Sequence, residues 1–196
     1  LLGLINNLVP FVFKAGEAIM GFYNISNTKE IKSDGSPVTQ ADKTAEKIIL
    51  GALERLAPRI LIVSEENPNS HCKIAENQFF LVDPLDGTKE FLKKDGKGGF
   101  TVNIGLIKNK IPIMGIVYAP ALGQMFFGCE NFGSWELING VRTRISVREP
   151  QDNRITAVAS TSHRDLETTK WLKAQKIDQI KSIGSSLKFC LVASGK

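Results

Sequence analysis

The chain has 196 residues, enough for one large domain or two small ones with a real core. Hydrophobic residues are 42% and charged residues 23%, the balance of an ordinary soluble globular protein. The net charge of +5 favours an anionic partner, whether nucleotide, phosphate ester or nucleic acid. That charge is scattered. Its densest run, "FLKKDGKGG", holds three lysines and no interleaved aromatics, so it reads as a solvated face and not a nucleic-acid surface. Cys72, Cys129 and Cys190 stand far apart with no CxxC, which excludes a disulfide framework. With only His71 and His163 beside them, a zinc site is excluded too. The cysteine usage points to a reducing compartment.

Leu4, Leu8, Phe11, Ala15, Ala18, Ile19 and Phe22 recur close to helical period and predict a helix over 4–23. Lys14 and Glu17 interrupt its apolar run, and no basic leader precedes it. It therefore reads as neither signal peptide nor membrane span. Asn24-Ile25-Ser26 matches a glycosylation sequon in letters alone. "SDGSPVTQAD" is turn-rich and reads as a loop. A second helix follows over roughly 41–57, with Ala45, Ile48, Ile49, Ala52, Leu53 and Leu56 on one face and Pro58 closing it. "ILIVSEE" and "FFLVDP" are short apolar strands ending in acids. "FTVNIGLIKNKIPIMGIVYAP" predicts a hairpin around "KNK". "GQMFFGCENFGSWELING" and "VRTRISV" continue the strands. "ITAVAS" is a strand, 165–175 a helix, "IDQIKSIG" strand and turn, and "SSLKFCLVASG" opens a helix. Near "VREPQDNR" hairpins give way to strand–helix alternation, which sets a domain boundary there.

Acids cluster at strand ends: Glu65 and Glu66 after "ILIVS", Asp83 after "FFLV", and Asp86 in the turn. Adjacent strands would bring them together. Two such charges about 4 Å apart repel by roughly 4 kcal/mol at an effective dielectric of 20. Protons or cations must then neutralise the cluster. Oxygen ligands without convergent His or Cys suit Mg²⁺, Ca²⁺ or Mn²⁺, and paired ions are a common phosphatase arrangement. Taken alone, "DPLDG" is an ordinary turn, Glu65-Glu66 a solvated loop, and Thr39 or Asp42 a helix cap. The functional reading rests on four acidic positions, all at element ends, in one stretch. A helix starting near Gly87-Thr88 would aim backbone N–H groups at a phosphate oxygen. The Thr88 hydroxyl could pass a water proton toward Asp42.

"DPLDGTKEF", with "SPVTQAD" before it, "SEE" between and "GSSLKFCLVASG" after, closely resembles the inositol monophosphatase family of Mg²⁺-dependent, lithium-sensitive phosphatases. "DGTKEF" is similar to the bacterial 3′(2′),5′-bisphosphate nucleotidase branch, where inositol phosphatases tend to read "DGTTNF". The resemblance implies that Glu65, Asp83, Asp86 and the Leu85 carbonyl hold metal, with two or three Mg²⁺ ions expected. It implies that Asp42 and Thr88 activate the attacking water and that Glu66 holds an outer water. Gly87 and Thr88 N–H groups would bind the scissile phosphate. Ser160 and His163 of "STSH", and Gly184, Ser185, Ser186 and Lys188 of "GSSLK", would bind the nucleotide. On the residues alone, Lys188 offers a phosphate point charge and 184–186 a helix opening, yet His163 equally suits a loop and Lys188 a solvated helix face. The family carries a later "WDTAAG"-like segment whose aspartate ligates metal. The sequence stops before it, and the expectation is that this segment was trimmed away.

These readings imply a layered α/β sugar-phosphatase fold (αβαβα). Residues 1–150 would form an α+β metal-binding catalytic domain with a largely antiparallel sheet, and 151–196 the start of a smaller α/β substrate-binding domain. The implied activity removes the 3′-phosphate of 3′-phosphoadenosine 5′-phosphate, and of its sulfated form, by direct attack of water, within sulfate assimilation and nucleotide recycling. An inositol or sugar phosphatase, or an inactive binding protein if the late aspartate is absent, are the alternatives. The expected partner is a small phosphorylated nucleotide, with no nucleic acid and no membrane span. The expected location is the cytoplasm, with peripheral association on the cytoplasmic face of the inner membrane as a further option.

Overall fold

The helical period near the N-terminus becomes helix α1 (Leu2–Asn24) in the computed structural model of the chain. The structure describes residues 1–24, 29–31, 37–71, 77–93, 97–149, 155–160, 164–177 and 179–196, with backbone alone at 29–31 and 37–39. The buried face of α1 is Ile5, Leu8, Val12, Ala15, Gly16 and Ile19. It is rotated from the expected one, since Leu4, Phe11, Ala18 and Phe22 are only half-buried. Both faces are apolar and both follow a near-helical period, so packing against the sheet chooses between them.

The segment read as a loop before the second helix contains paired backbone. Strands β1 (Lys29–Ile31) and β2 (Pro37–Thr39) form an antiparallel hairpin. The Thr39 side chain, a candidate cap, lies outside the described residues. Helix α2 (Gln40–Leu56) buries Ala41, Asp42, Ala45, Ile49, Ala52 and Leu53. It packs beside α1, and both helices lie on one face of the main sheet.

That sheet contains β3 (Leu61–Ser64), β4 (Gln78–Asp86), β5 (Thr101–Lys108), β6 (Ile111–Ala119), β7 (Gln124–Cys129), β8 (Gly133–Ile138) and β9 (Val141–Ile145), paired in that order. Two short helices, α3 (Pro68–His71) and α4 (Thr88–Lys93), are set between β3 and β4 and between β4 and β5. Only β3 and β4 run parallel; every later neighbour is antiparallel. The β5–β6 turn places Asn109 at φ 51° and Lys110 at φ 66°, the twist that a two-residue hairpin requires. The largely antiparallel sheet of the sequence reading is therefore present.

After residue 155 the chain builds β10 (Thr156–Ala159), α5 (Leu166–Ala174), β11 (Gln179–Ser182) and α6 (Leu187–Ala193). β10 and β11 pair in parallel as a separate two-stranded sheet. Asp165 caps α5 by accepting from Thr168 N at 2.7 Å. Leu187 and Cys190 of α6 pack on Ala119 and Phe126, so α6 covers part of the sheet face opposite α1 and α2. The expected boundary near 151 falls within 150–154, outside the described residues. Among the described residues no helix is long and apolar enough to cross a membrane.

One contact reports on the α1–sheet seam. A Cβ added at Gly16 would stand 2.3 Å from Tyr118 Cε1. Tyr118 is in turn fixed edge-on against Phe13, with ring centroids 5.0 Å apart. Gly16→Ala should destabilise the protein by about 1–3 kcal/mol through overpacking. Urea unfolding should show a lower midpoint at unchanged slope. An unchanged midpoint would mean that the seam is loose.

Candidate active site

The parallel register of β3 on β4 pairs Ser64 with Val82, and Glu65 N donates to Val82 O at 3.0 Å. Glu65 and Asp83 therefore leave neighbouring strand ends side by side. Next along β4, the pairing with β5 shifts between Asp83 and Asp86. This bulge takes Pro84 and Leu85 out of the ladder. Leu85 N turns back onto Asp83 Oδ1 at 3.1 Å, and the Leu85 carbonyl meets the Thr88 hydroxyl at 3.4 Å. Gly87 follows at φ 91°, where a Cβ would also come within 2.8 Å of Gly99 O, so glycine is required twice over. Helix α4 then starts at Thr88.

Glu65 is exposed in the turn after β3, whereas Asp83 and Asp86 are half-buried. Burial above all, then the charges of Glu65, Asp86 and Asp42, push the Asp83 carboxyl up to about 8. Asp42, on α2, is 2% exposed. Burial also raises Asp86, opposed by the Ser186 N–H and by the nearby Lys188 charge. Glu65 lies close enough to Asp83 to add to that upward push. Among the described residues no three His, Cys, Asp or Glu side chains converge into a finished ligand cluster. The donors are nevertheless oxygen only and crowded. That chemistry fits a hard divalent cation, which would offset the repulsion among them.

The second turn comes from far along the chain. Ser186 N donates to Asp86 Oδ2 at 2.7 Å, across 100 residues of sequence. The Ser186 hydroxyl meets Asn103 Oδ1 at 2.6 Å and Thr101 Oγ1 at 2.9 Å. Lys188 Nζ donates to Ser185 O at 2.6 Å. Backbone contact sets the spacing, since a Cβ at Gly184 would stand 2.5 Å from Gly99 O and 2.7 Å from Glu90 Cγ. Ser160 immediately follows β10, whose last residue pairs with Ser182, so it shares an end of the small sheet with 183–186.

The structure thus gathers Asp42, Glu65, Asp83 and Asp86, and brings Gly87, Thr88, Gly184, Ser185, Ser186 and Lys188 to the same region. Glu66 occupies the turn after β3, half-buried beside Glu65. His163 and Cys72 lie outside the described residues. Thr101 and Asn103 escaped the sequence reading. Their signal was two polar side chains at alternate positions of an apolar strand, facing Asp86 and Asp83 in register. Glu90 escaped it too. It is 8% exposed, and its Oε1 has no hydrogen-bond partner among the described residues.

A family model for the inositol monophosphatase family matches residues 4–196. The 3′(2′),5′-bisphosphate nucleotidase CysQ of Salmonella typhimurium is 45% identical over 185 residues, 93% of this chain and 73% of that protein. The protein of the same name from Escherichia coli K12 is 41% identical over 196 residues, 98% of this chain and 78% of its own length. Among solved structures, CysQ from Bacteroides thetaiotaomicron superposes with a TM-score of 0.77 at 32% identity, covering 97% of this chain and 76% of that one.

The raised Asp83 group makes a pH prediction for the metal-free protein. Between its ordinary value of 3.8 and about 8 the folded state holds a proton that the unfolded state has lost. Stability should therefore fall as pH rises through that window and level off above it. Asp83→Asn, which cannot ionise, should flatten the slope and melt higher than wild type at the alkaline end. Thermal melts with chelator at a series of pH values check this, and parallel curves for the two proteins would contradict the crowding.

Proposed function

The chain belongs to the inositol monophosphatase family, and from that membership we propose a 3′(2′),5′-bisphosphate nucleotidase that removes the 3′-phosphate of 3′-phosphoadenosine 5′-phosphate to give AMP. Its sulfated relative is the second substrate. The observation that carries the reading is the crowding of Asp83 by Glu65, Asp86 and Asp42 beside the Ser186 turn. The work fits sulfate assimilation and nucleotide recycling, in keeping with the names of the relatives above.

In this reading Glu65, Asp83, Asp86 and the bulged Leu85 carbonyl hold two or three Mg²⁺ ions. Bound Mg²⁺ supplies Lewis-acid stabilisation of phosphate charge and makes water easier to deprotonate. Asp42 and the Thr88 hydroxyl orient the attacking water and receive its proton. Glu66 fixes a second water. Gly87 and Thr88 N–H groups grip the scissile phosphate. Ser160, His163, Gly184, Ser185, Ser186 and Lys188 bind the nucleotide. Ser186 N is engaged by Asp86 and its hydroxyl by Asn103 and Thr101, so in this reading Ser186 shapes the turn that meets the nucleotide. Lys188, held on Ser185 O, brings one positive charge to the acidic region. The division of labour follows the two sheets: 1–150 is the metal-binding catalytic unit, and 151–196 opens the substrate-binding unit. A cytoplasmic location suits Cys129 and Cys190, both free thiols.

Phosphate release from the bisphosphate nucleotide and from inositol 1-phosphate, with and without Mg²⁺, tests the assignment. The nucleotide should be strongly preferred. Asp83→Asn and Asp86→Asn should each cost more than about 100-fold, beyond what loss of an outer partner costs. Lys188→Ala should raise KM about tenfold with kcat nearly kept, as loss of a charged hydrogen-bond donor to bound substrate would. Comparable kcat/KM on both substrates would replace the reading with an inositol phosphatase. No release from either would leave a binding protein.

A further inference from the structure

Ser64 ends β3 one residue before Glu65 and is 1% exposed. All three of its polar groups are held by side chains from outside the strand. Its hydroxyl donates a short hydrogen bond to Glu46 Oε1 on α2. Its N–H donates to Ser70 Oγ at 3.1 Å, and its carbonyl is met by Ser70 Oγ at 3.2 Å and His71 Nε2 at 2.7 Å. Ser70 is itself 3% exposed and donates to Asn67 O at 2.6 Å. A short strand end would ordinarily fray; this one is tied from two sides.

The tie to α2 has a consequence for the acids. Glu46 sits one helical turn after Asp42, so the two share a face of α2. Glu65 follows Ser64 directly. The Glu46–Ser64 bond therefore spans the gap between the helix that carries Asp42 and the strand that carries Glu65. These two carboxyl groups both crowd Asp83 and repel one another's approach to it. Without a tie, the cheapest relief is for β3 and α2 to move apart, which would widen the cluster and spoil it for a cation. We propose that Glu46 and Ser64 are positioning residues that hold the Asp42 turn and the Glu65 strand end together beside Asp83 for cation binding, with Ser70 and His71 anchoring the strand end. This rests on the metal reading given above. In this role each acts through a nearby carboxylate: Glu46 through Asp42 one helical turn before it, and Ser64 through Glu65 directly after it.

The test is calorimetric titration of the protein with Mg²⁺, together with thermal melts in chelator and in Mg²⁺. Ser64→Ala removes one oxygen and Glu46→Ala the acceptor, while Glu46→Gln keeps an acceptor oxygen at the same place. Both alanine variants should weaken Mg²⁺ binding by about 10–100-fold, the usual cost of losing an outer partner of a metal site. Their Mg²⁺-induced rise in melting temperature should shrink in step. Glu46→Gln should stay near wild type. If Glu46→Ala fails to fold, Ser64→Ala carries the comparison. Alanine variants that melt lower in chelator yet bind Mg²⁺ within about twofold of wild type would overturn the inference, because the bond would then be packing alone. A wild-type protein that binds no Mg²⁺ would overturn the metal reading itself, and the inference with it.

Discussion

β3 and β4 run parallel, and their register leaves Glu65 and Asp83 emerging side by side from neighbouring strand ends. The backbones at such an end cannot move apart without breaking ladder bonds. Repulsion between them is therefore built into the sheet and not into a flexible loop. Asp86 adds to it through the β4 bulge, and Asp42 from the buried face of α2. The result is a Asp83 carboxyl held near neutral pH, an arrangement that costs stability whenever all the acids ionise. A fold optimised for stability alone would place at least one amide here. The acids make physical sense as a receptor for positive charge.

The Ser186–Asp86 hydrogen bond does for the second half of the chain what the β3–β4 register does for the first. It draws the turn after β11 onto the acidic loop, and Thr101 and Asn103 hold the Ser186 hydroxyl in place. Gly87, Gly99 and Gly184 make the approach possible, because Gly99 O lies within 3 Å of where a Cβ would stand on either of the other two. One carbonyl thus spaces the two turns. A catalytic group on one and a substrate contact on the other keep a fixed separation although they are coded far apart.

Local signals in the sequence gave most of the fold. Period marked α1 and α2, alternation marked β5 to β9, and "DPLDG" marked the acidic turn. What escaped was decided by long-range competition. The face of α1 was misjudged because both candidate faces are apolar, and only the sheet chooses between them. The β1–β2 pair hid in a stretch rich in turn residues, where pairing between two three-residue strands leaves almost no pattern. In the site, the acids were legible because charge at a strand end breaks the apolar rule. Ser64 and Glu46 were not, and the polar alternation of Thr101 and Asn103 gave no role, because the partners that give these residues meaning lie 18 to 85 residues away.

Three departures from local preference meet at the two turns. Ser185 takes φ 53°, a left-handed conformation that costs a residue with a Cβ about 1–2 kcal/mol. Glu90 buries an oxygen without a hydrogen-bond partner among the described residues, a few atoms from Gly184. Asp83 keeps a proton that an ordinary aspartate would lose. Asp42, buried at 2% exposure on α2, faces the same region from the helical layer. Each departure is tolerable because the main sheet and α1 supply the packing that holds the turns in place. Ser185, Glu90 and Asp83 belong to segments coded far apart, and departures that converge where such segments meet suit a site shaped for a ligand.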